Sequence, residues 1–512
     1  MVIDPADRVT YREFDESTRD LAAALVAGGV GPGTRVGLVM PNCTDWVRIA
    51  LAVTRIGAVL VPLSTLLTGR ELRAQLTVAA VTCLVTAPEF RGHRYLDDLS
   101  AELGDRIHPG VVMHPGVPAL RRIWTTDELL GARPEVRCAA VVSALDDAVT
   151  PADPLTVVFT SGSSGTPKGV MHSHGGALGA VASGLRARRI GADTRLYLPM
   201  PFFWVGGFGA GILSVLLAGA TLVTEPIPSP ETTLALLERE RVTLFRGWPD
   251  QAAALVRRAG DADLSALRVG SLDALLPPQA RAARGARANL FGMTESFGPW
   301  CGFRADRDMP RSAWGSCGKP FDGMEVRITD PETGSPVPQG GTGEIQLRGP
   351  HVMQGICGRS PEEVFTRDGF YPTGDLGHVD ADGFVFHHGR SDDMFKVGGA
   401  TVYPSEVQAA LATIDGVESA FVTRVDEAGG PRVGAAVVCR GGLTVDDVRA
   451  TARTVLSSFK IPTVWLLLDS DESVPRGGTG KVDGRGLREL LTRAHHESPE
   501  SAATGPHRTE GS

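Results

Sequence analysis

Short apolar runs alternate with helix-period segments through the N-terminal half of the chain, and this alternation restricts the fold more than any other feature. Residues 36–40, 58–61 and 83–86 are apolar runs of strand length, whereas residues 45–56 and 71–80 carry apolar residues at helical spacing. Strands separated by helices pair in parallel, because the helix returns the chain to the same end of the sheet. The pattern predicts a large α/β body of mixed or parallel sheets covered by helices.

The first helix is predicted from its end signals. Thr10 and Glu13 have capping-box spacing, apolar residues then recur at helical intervals, and Gly28-Gly29 ends the pattern. A second helix–strand pair is expected at residues 232–241 and 243–245, which extends the α/β body.

The pattern of predicted secondary structure changes after about residue 320. Residues 324–328, 343–347 and 383–387 are short β-type runs separated by Asp, Pro and Gly turns, which predicts a β-rich subdomain. A polar turn at 389–393 precedes a new helix near 404–412 and a strand near 420–425. The 512-residue chain is therefore expected to contain a large domain (1–389), a small mobile α+β domain (390–494) and a polar, disordered tail (495–512).

One uncharged stretch, from Leu196 to Thr224, is long enough to cross a bilayer. Pro199, Pro201 and several glycines interrupt it, which favours a loop, a buried helix and a buried strand instead. The N-terminus has no apolar signal-peptide core. We expect no integral membrane segment.

The net charge indicates the class of partner, and the distribution of cysteines indicates the cellular compartment. The net charge of -8 lacks the basic footprint of a nucleic-acid-binding protein, so small molecules are the expected partners. The seven cysteines are scattered, with no C-x-x-C pair, as expected of reduced thiols in the cytoplasm. The sequence leaves open whether the chain forms a homo-oligomer.

The sharpest chemical feature is a glycine- and hydroxyl-rich segment that ends in a lysine. Backbone N–H groups, hydroxyls and a lysine ammonium can together surround a polyphosphate. Pro167 precedes the lysine and a β-type run follows it, so the loop joins two strands and is not a Walker A loop, which would open a helix. An exposed Ser/Gly hairpin is the alternative. The candidate phosphate-binding residues are Thr160, Ser161, Gly162, Ser163, Ser164, Gly165, Thr166 and Lys168.

This loop resembles the signature of the AMP-forming acyl-CoA synthetases, which form a superfamily with peptide-synthetase adenylation domains and firefly luciferase. Further matching motifs follow in the same order along nearly the whole chain. They are Asn289-Leu-Phe-Gly-Met-Thr-Glu295, Tyr371-Pro-Thr-Gly-Asp375, Gly389-Arg-Ser-Asp-Asp-Met-Phe-Lys-Val-Gly-Gly399, Tyr403-Pro-Ser-Glu406 and Pro475-Arg-Gly-Gly-Thr-Gly-Lys481.

The resemblance implies a two-step ligase that uses ATP, Mg²⁺ and coenzyme A. A carboxylic acid attacks the α-phosphorus of ATP to give acyl-AMP and pyrophosphate, and the acyl group then passes to the thiol of coenzyme A. A fatty-acyl-AMP ligase that loads a separate carrier protein is the rival enzyme. A binding or scaffold protein that has lost the chemistry is the rival from another class, and the intact motif residues oppose it.

The resemblance also implies roles for residues in the large domain. Glu295 would bind Mg²⁺, since hard oxygen ligands suit this ion, and Thr294 would hydrogen-bond the α-phosphate. Lys168 would hold the phosphates. Lys481, delivered from the small domain, would stabilise the charge that develops during adenylation. Phe291, Gly292 and Met293 would complete the ATP site.

The remaining implied roles lie near the domain junction. Asp375 would accept hydrogen bonds from the ribose hydroxyls, and Arg390 would support the ribose or phosphate. Asp392 would be the hinge about which the small domain moves. Lys396, Gly398 and Gly399 would line the tunnel for coenzyme A, where glycine lets a thiol approach.

The chain departs from its family in the segment that surrounds the acyl group. Trp204 stands where most relatives have histidine, and no acidic residue between Arg195 and Glu225 is present to hold an amino group. The predicted acyl pocket comprises Phe203, Trp204, Gly207, Trp248 and Phe297. It favours a hydrophobic acid, either fatty or aromatic and polycyclic, and disfavours an amino acid.

Two further features concern the adenine contacts and the histidines. Gly270-Ser-Leu-Asp-Ala274 replaces the Gly-rich turn that touches adenine in relatives. His172, His174, His387 and His388 lack metal-site spacing and are predicted to be packing or turn residues.

Overall fold

The computed structural model describes residues 1–133, 136–160, 167–391, 393, 395–397, 400–427, 430–440, 442–476 and 482–497. It divides into two compact units. The first comprises Met1–Arg327, Gln346–Pro372 and Val379–Phe386, and the second comprises Ile328–Ile345, Thr373–His378 and the chain from His387 onward.

Strands and helices alternate through the first unit and continue into the second. The strands are β1 (Val2–Ile3), β2 (Arg8–Val9), β3 (Arg35–Val39), β4 (Val59–Pro62), β5 (Cys83–Thr86), β6 (Gly110–Val111), β7 (Arg122–Thr125), β8 (Pro154–Thr160), β9 (Lys168–Ser173), β10 (Arg195–Tyr197), β11 (Thr221–Val223), β12 (Leu244–Phe245), β13 (Phe291–Met293), β14 (Gly298–Gly302), β15 (Lys319–Pro320), β16 (Glu325–Thr329), β17 (Gly343–Arg348), β18 (Gly355–Ile356), β19 (Tyr371–Val379), β20 (Val385–Arg390), β21 (Phe395–Val397), β22 (Ala400–Val402), β23 (Val417–Glu427), β24 (Gly430–Cys439) and β25 (Val464–Leu468). The α-helices are α1 (Tyr11–Ala27), α2 (Thr44–Arg55), α3 (Gly69–Val78), α4 (Tyr95–Leu103), α5 (Thr126–Leu130), α6 (Val136–Ala148), α7 (His174–Arg188), α8 (Val205–Gly207), α9 (Ser214–Ala218), α10 (Pro230–Arg239), α11 (Pro249–Arg258), α12 (Pro361–Val364), α13 (Pro404–Leu411), α14 (Val445–Val455) and α15 (Gly484–Glu497).

The largest sheet of the first unit has eight strands in the order β18-β9-β8-β4-β3-β5-β7-β6. Its central pairs β4–β3, β3–β5 and β5–β7 are parallel, whereas the pairs β18–β9, β9–β8 and β6–β7 at its two edges are antiparallel. The residues of β4 and β5 are buried along their whole length, because helices cover both faces of a parallel sheet. The predicted α/β body of mixed and parallel sheets is confirmed.

A second sheet of the first unit has the order β12-β10-β11-β1-β2. Its strands β12, β10, β11 and β1 run parallel, so their carboxyl ends point to the same edge. The capping box predicted for the first helix is present at Thr10 and Glu13 of α1. Local end signals therefore specify the helix that follows the first hairpin.

The uncharged stretch from Leu196 to Thr224 contains several short elements. It comprises most of β10, the short helix α8, a π-helical turn at Phe208–Leu213, α9 and β11. Among the described residues, no helix is long and apolar enough to span a membrane. The predicted loop, buried helix and buried strand are confirmed.

The predicted β-rich region after residue 320 is present as a four-stranded sheet of order β16-β17-β19-β20. In the second unit, β23 pairs antiparallel with β24 and β24 pairs parallel with β25. Helix α15 extends to Glu497, so its last residues occupy a stretch that the sequence assigned to the tail. His495 on this helix lies 3.0 Å from the Glu427 carboxylate.

Candidate active site

The predicted phosphate loop is carried by an antiparallel hairpin of the first unit. Thr160 ends β8 and Lys168 begins β9, and the two residues are directly opposite each other in the sheet. The prediction that the loop joins two strands is therefore confirmed. Between them, Ser161, Gly162, Ser163, Ser164, Gly165 and Thr166 lie outside the described residues.

The strand that starts at Lys168 is joined to the Thr294–Glu295 segment by a buried histidine. His172 Nε2 donates a hydrogen bond of 2.8 Å to the carbonyl oxygen of Thr294, and the side chain is 1% exposed. Burial lowers the pKa of His172 to about 4, so the ring is neutral at physiological pH. The sequence assigned His172 to packing, and the structure adds that it holds Thr294. Its place on the same strand face as buried Val170 is the signal that was available.

Glu295 lies in a single 3₁₀ turn, Thr294–Ser296, between β13 and β14. Its side chain is 8% exposed, and Oε1 accepts a hydrogen bond of 3.0 Å from the Tyr371 phenol. Its backbone carbonyl accepts from the Met353 amide at 2.8 Å. Backbone and side chain are thus fixed from two different parts of the first unit.

The residue after this turn has a backbone conformation that is rare for side chains other than glycine. Phe297 has φ +52° and is 1% exposed. Its ring lies 4.8 Å from the His172 ring and 6.1 Å from the Phe208 ring, both edge to face. A left-handed residue costs about 1–2 kcal/mol, and these buried contacts offset that cost and hold the Glu295 turn in place.

Glu295 has the chemistry expected of a Mg²⁺ ligand. Tyr371 supplies the only hydrogen bond that the carboxylate receives from the described residues, which leaves Oε2 available to an external partner. No group of three or more His, Cys, Asp or Glu side chains in the described part of the chain could hold a metal ion. Because Mg²⁺ is held by one or two carboxylates together with substrate phosphates, a single buried glutamate fits this ion.

Three of the five predicted acyl-pocket residues lie together beyond the carboxyl ends of two parallel strands. Trp204 follows β10 and Trp248 follows β12, and their rings meet edge to face at 5.9 Å. Phe203 lies 6.0 Å from Trp204. Ligands of α/β proteins bind at this edge of a parallel sheet. Phe297 belongs to a separate aromatic group with Phe208 and His172.

Close packing requires glycine at position 207, because no side chain fits there. A Cβ at this position would lie 2.0 Å from the Pro201 carbonyl oxygen. The glycine therefore lets helix α8 pack closely against the segment after β10. Its role in the acyl pocket stays a prediction.

Asp375 forms the centre of a polar cluster in the second unit. Its side chain is buried, and Oδ1 lies 3.1 Å from His387 Nε2. Arg390 Nη1 donates to the Thr373 carbonyl at 2.9 Å and lies 3.8 Å from Asp375 Oδ2. The structure thus brings the predicted pair Asp375 and Arg390 together. It adds His387, which the sequence assigned to packing.

Other predicted site residues are placed only in part. Phe291, Gly292 and Met293 form β13, which pairs with β14 immediately before the Glu295 turn. Lys396 lies in β21, where its backbone pairs with Thr401. Asp392, Gly398, Gly399 and Lys481 lie outside the described residues, so their roles stay predictions.

A surface cleft of about 730 Å³ in the first unit is lined by residues outside this site, among them Arg186, Gly302 and Lys319. Most of its charges are paired within the cleft. Asp306 contacts Arg189 at 3.2 Å and Arg304 at 2.8 Å, and Asp193 contacts Arg268 at 2.5 Å. Because these cations already have acidic partners, the cleft is a weaker candidate for binding an anionic substrate.

Comparison with known proteins agrees with this geometry. The family model described as AMP-binding enzyme matches residues 1–357. The chain is 35% identical over 498 residues to 3-[(3aS,4S,7aS)-7a-methyl-1,5-dioxo-octahydro-1H-inden-4-yl]propanoyl:CoA ligase from Mycobacterium tuberculosis, which covers 94% of each chain.

Two further likenesses cover similar lengths. Feruloyl-CoA synthase from Amycolatopsis sp is 33% identical over 93% of this chain and 92% of its own. The crystal structure of the anthranilate CoA ligase AuaEII in complex with anthranoyl-AMP superimposes with a TM-score of 0.80. At 22% identity over 97% of this chain and 94% of that one, it shows a shared fold. The matching motifs, the buried Glu295 and the extent of the family match together show that the chain belongs to the AMP-binding enzyme family.

Proposed function

We propose that this protein is an AMP-forming carboxylate–CoA ligase. It converts a carboxylic acid and ATP to acyl-AMP and pyrophosphate, and then transfers the acyl group to coenzyme A with release of AMP. Mg²⁺, when bound, supplies positive charge that offsets the phosphate charges as the bond to the α-phosphorus forms.

The observation that carries this proposal is the connection between the phosphate-loop hairpin and the Glu295 turn. The His172–Thr294 hydrogen bond ties β9, which begins at Lys168, to the turn that presents Glu295. Lys168 and the Glu295 carboxylate are therefore carried by two segments that a buried hydrogen bond joins. Lys168 would bind phosphate oxygens, Glu295 would hold the metal, and Thr294 would donate to the α-phosphate.

The acid is proposed to be hydrophobic and ring-bearing. The Trp204–Trp248 pair at the carboxyl edge of the second sheet offers an aromatic, uncharged surface. The names of the two relatives likewise specify ring-bearing acids, an octahydroindenyl propanoate and ferulate. Large aromatic side chains favour such substrates through buried apolar area.

The nucleoside and the second half-reaction are assigned to the second unit. Asp375 and Arg390 would hold the ribose, and Lys481 would assist adenylation. Movement about Asp392 would then bring Lys396, Gly398 and Gly399 to the thiol. The seven cysteines are not joined in disulfides, which supports a reducing cytoplasmic location.

The decisive experiment is acid-dependent exchange of labelled pyrophosphate into ATP, measured across ring-bearing acids. Exchange that requires both the acid and Mg²⁺ is expected, and silence with every acid would favour a binding protein without chemistry. Release of acyl-CoA on addition of coenzyme A, compared with acylation of a carrier protein, separates the ligase from its rival.

The proposed role of Lys481 can be tested in the same assays. Lys481→Ala should abolish exchange while sparing thioester formation from supplied acyl-AMP. Lys460→Ala is a matched control, because this lysine of the second unit is paired with Glu406 at 2.5 Å. Equal loss of both half-reactions in Lys481→Ala would contradict the assignment.

A further inference from the structure

An arginine occupies the carboxyl end of β12, beside the aromatic residues of the proposed acyl pocket. Arg246 directly follows β12 and precedes Trp248 by two positions. Trp248 contacts Trp204, which follows the parallel neighbour β10. The backbone of Arg246 therefore lies at the same sheet edge as the two tryptophan-bearing segments.

This partly buried arginine lies beside a second arginine, Arg188, which is buried. Arg246 Nη2 donates to the Arg188 carbonyl oxygen at 2.9 Å. The Arg188 side chain, 5% exposed, donates to three backbone carbonyls, among them Ala210 at 2.9 Å, three positions after Gly207. Arg188 is thus fully engaged in holding the turn that follows α8, and its guanidinium has a structural role.

The Arg246 guanidinium donates fewer hydrogen bonds than that of Arg188. Its Nε is buried and has no hydrogen-bond partner. Among the described residues, no Asp or Glu lies within 4.0 Å of the guanidinium of Arg246 or Arg188. Burial lowers the pKa of Arg246 to about 10 and that of Arg188 to about 9. Because a buried cation without an acidic partner is costly, this arrangement suits a site that an external acceptor completes.

A glycine with a left-handed backbone conformation borders the Arg246 guanidinium. Gly270 has φ +107°, and a Cβ there would lie 3.8 Å from Arg246 Nη2 and 3.3 Å from Ala305. A residue with a side chain would be strained in this backbone conformation, and its Cβ would press most closely on Ala305.

We propose that Arg246 recognises a second oxygen acceptor on the acid, a ketone or carboxylate carried by its apolar ring skeleton at the end remote from the reacting carboxylate. This inference rests on the proposed function and narrows its substrate class. The aromatic residues bind the skeleton, and Arg246 donates to the distal oxygen. A site built to donate a hydrogen bond discriminates strongly against an analogue that lacks the acceptor, because the buried donor is then left unpaired.

The test compares cyclohexanepropanoate with its ring-ketone analogue, in which the carbonyl replaces the ring methylene farthest from the side chain. The readout is the ratio of kcat/KM for the two acids in pyrophosphate exchange. We expect the wild-type protein to favour the ketone by about 30-fold, the factor that corresponds to one hydrogen bond from a charged donor. Arg246→Met should bring this ratio close to one, and Arg246→Lys should give an intermediate ratio.

Arg257→Met, at an exposed position of α11, is the matched control and should keep the wild-type ratio. A wild-type ratio near one would overturn the inference while leaving the proposed function intact. An unchanged ketone preference in Arg246→Met would overturn it in the same way. Exchange with neither acid would overturn both. The wild-type ratio needs no variant, so the inference stays testable even if Arg246→Met does not fold.

Discussion

The phenol of Tyr371 donates a 3.0 Å hydrogen bond to Oε1 of Glu295, and both side chains are buried. Tyr371→Phe removes this donor and leaves the carboxylate free to rotate. We expect kcat/KM to fall about tenfold, because a hydrogen bond to a charged group contributes about 1.5–3 kcal/mol. The Mg²⁺ concentration for half-maximal exchange should also rise. Initial rates across a Mg²⁺ titration measure both effects.

Tyr11→Phe provides the control for the loss of a phenol. Tyr11 donates to the backbone carbonyls of Ala220 at 2.8 Å and Val215 at 3.0 Å, and to no carboxylate. Its removal should change stability without changing the Mg²⁺ dependence. An unaltered Mg²⁺ dependence in Tyr371→Phe would show that the phenol does not orient the metal ligand.

The neutral His172 ring makes the folded state sensitive to acid. Its pKa falls from 6.5 to about 4 on folding, so the unfolded chain binds the proton first as the pH decreases. The associated stability is fully present above about pH 6.5 and is lost between about pH 6.5 and 4, by up to about 3 kcal/mol. His172→Gln keeps a neutral donor that does not titrate. Its free energy of unfolding should therefore decline less over this interval.

Urea unfolding of the first-unit signal at about pH 7.5 and about pH 5 measures the difference between the two proteins. Other histidines titrate in both, so the comparison isolates His172. Parallel declines in the wild type and in His172→Gln would contradict the assigned pKa. A variant that also loses exchange activity at neutral pH would show that the imidazole positions Thr294 in a way that glutamine does not reproduce.

The sequence predicts the structure well where a few neighbouring residues determine it. The Thr10–Glu13 capping box and the loop that ends at Pro167 are local signals, and the structure has the helix and the hairpin that they predict. The Tyr371–Glu295 hydrogen bond joins residues 76 positions apart, and the His172–Thr294 bond joins residues 122 positions apart. No local pattern specifies such contacts, because they depend on how separate strands are placed in the fold.

The same limit applies to Arg246 and His387. A lone arginine near tryptophans carries no sign in the sequence that acidic partners are missing, since any distant Asp or Glu could have reached it. His387 contacts Asp375 because the turn at Asp380–Gly383 returns the chain from β19 to its neighbouring strand β20. That turn signal was present in the sequence, and combining it with the nearly equal distances of both residues from the turn would have predicted the contact.

Gly374 tests the proposed nucleoside site through a steric contact. Its φ is +72°, and a Cβ there would lie 2.9 Å from Arg390 Nη2. Gly374→Ala should therefore displace the guanidinium and raise the KM for ATP about tenfold, in addition to a backbone penalty of about 1–2 kcal/mol. Gly383→Ala is the matched control, because Gly383 has φ +84° and no atom within 4 Å of the added Cβ. Equal KM values for ATP in the two variants would remove Arg390 from the site.

Trp204 tests the size limit of the proposed acyl pocket. Its ring meets Trp248 at 5.9 Å, so Trp204→Ala opens space at the carboxyl edge of the second sheet. We expect the ratio of kcat/KM for a four-ring acid over benzoate to rise about tenfold or more, since small changes in apolar pocket volume alter selectivity by that order. Trp124→Ala controls for the loss of an indole, because Trp124 is partly buried on β7 and packs under Arg122. If both variants shift the ratio equally, the change reflects general loosening, and Trp204 does not line the pocket.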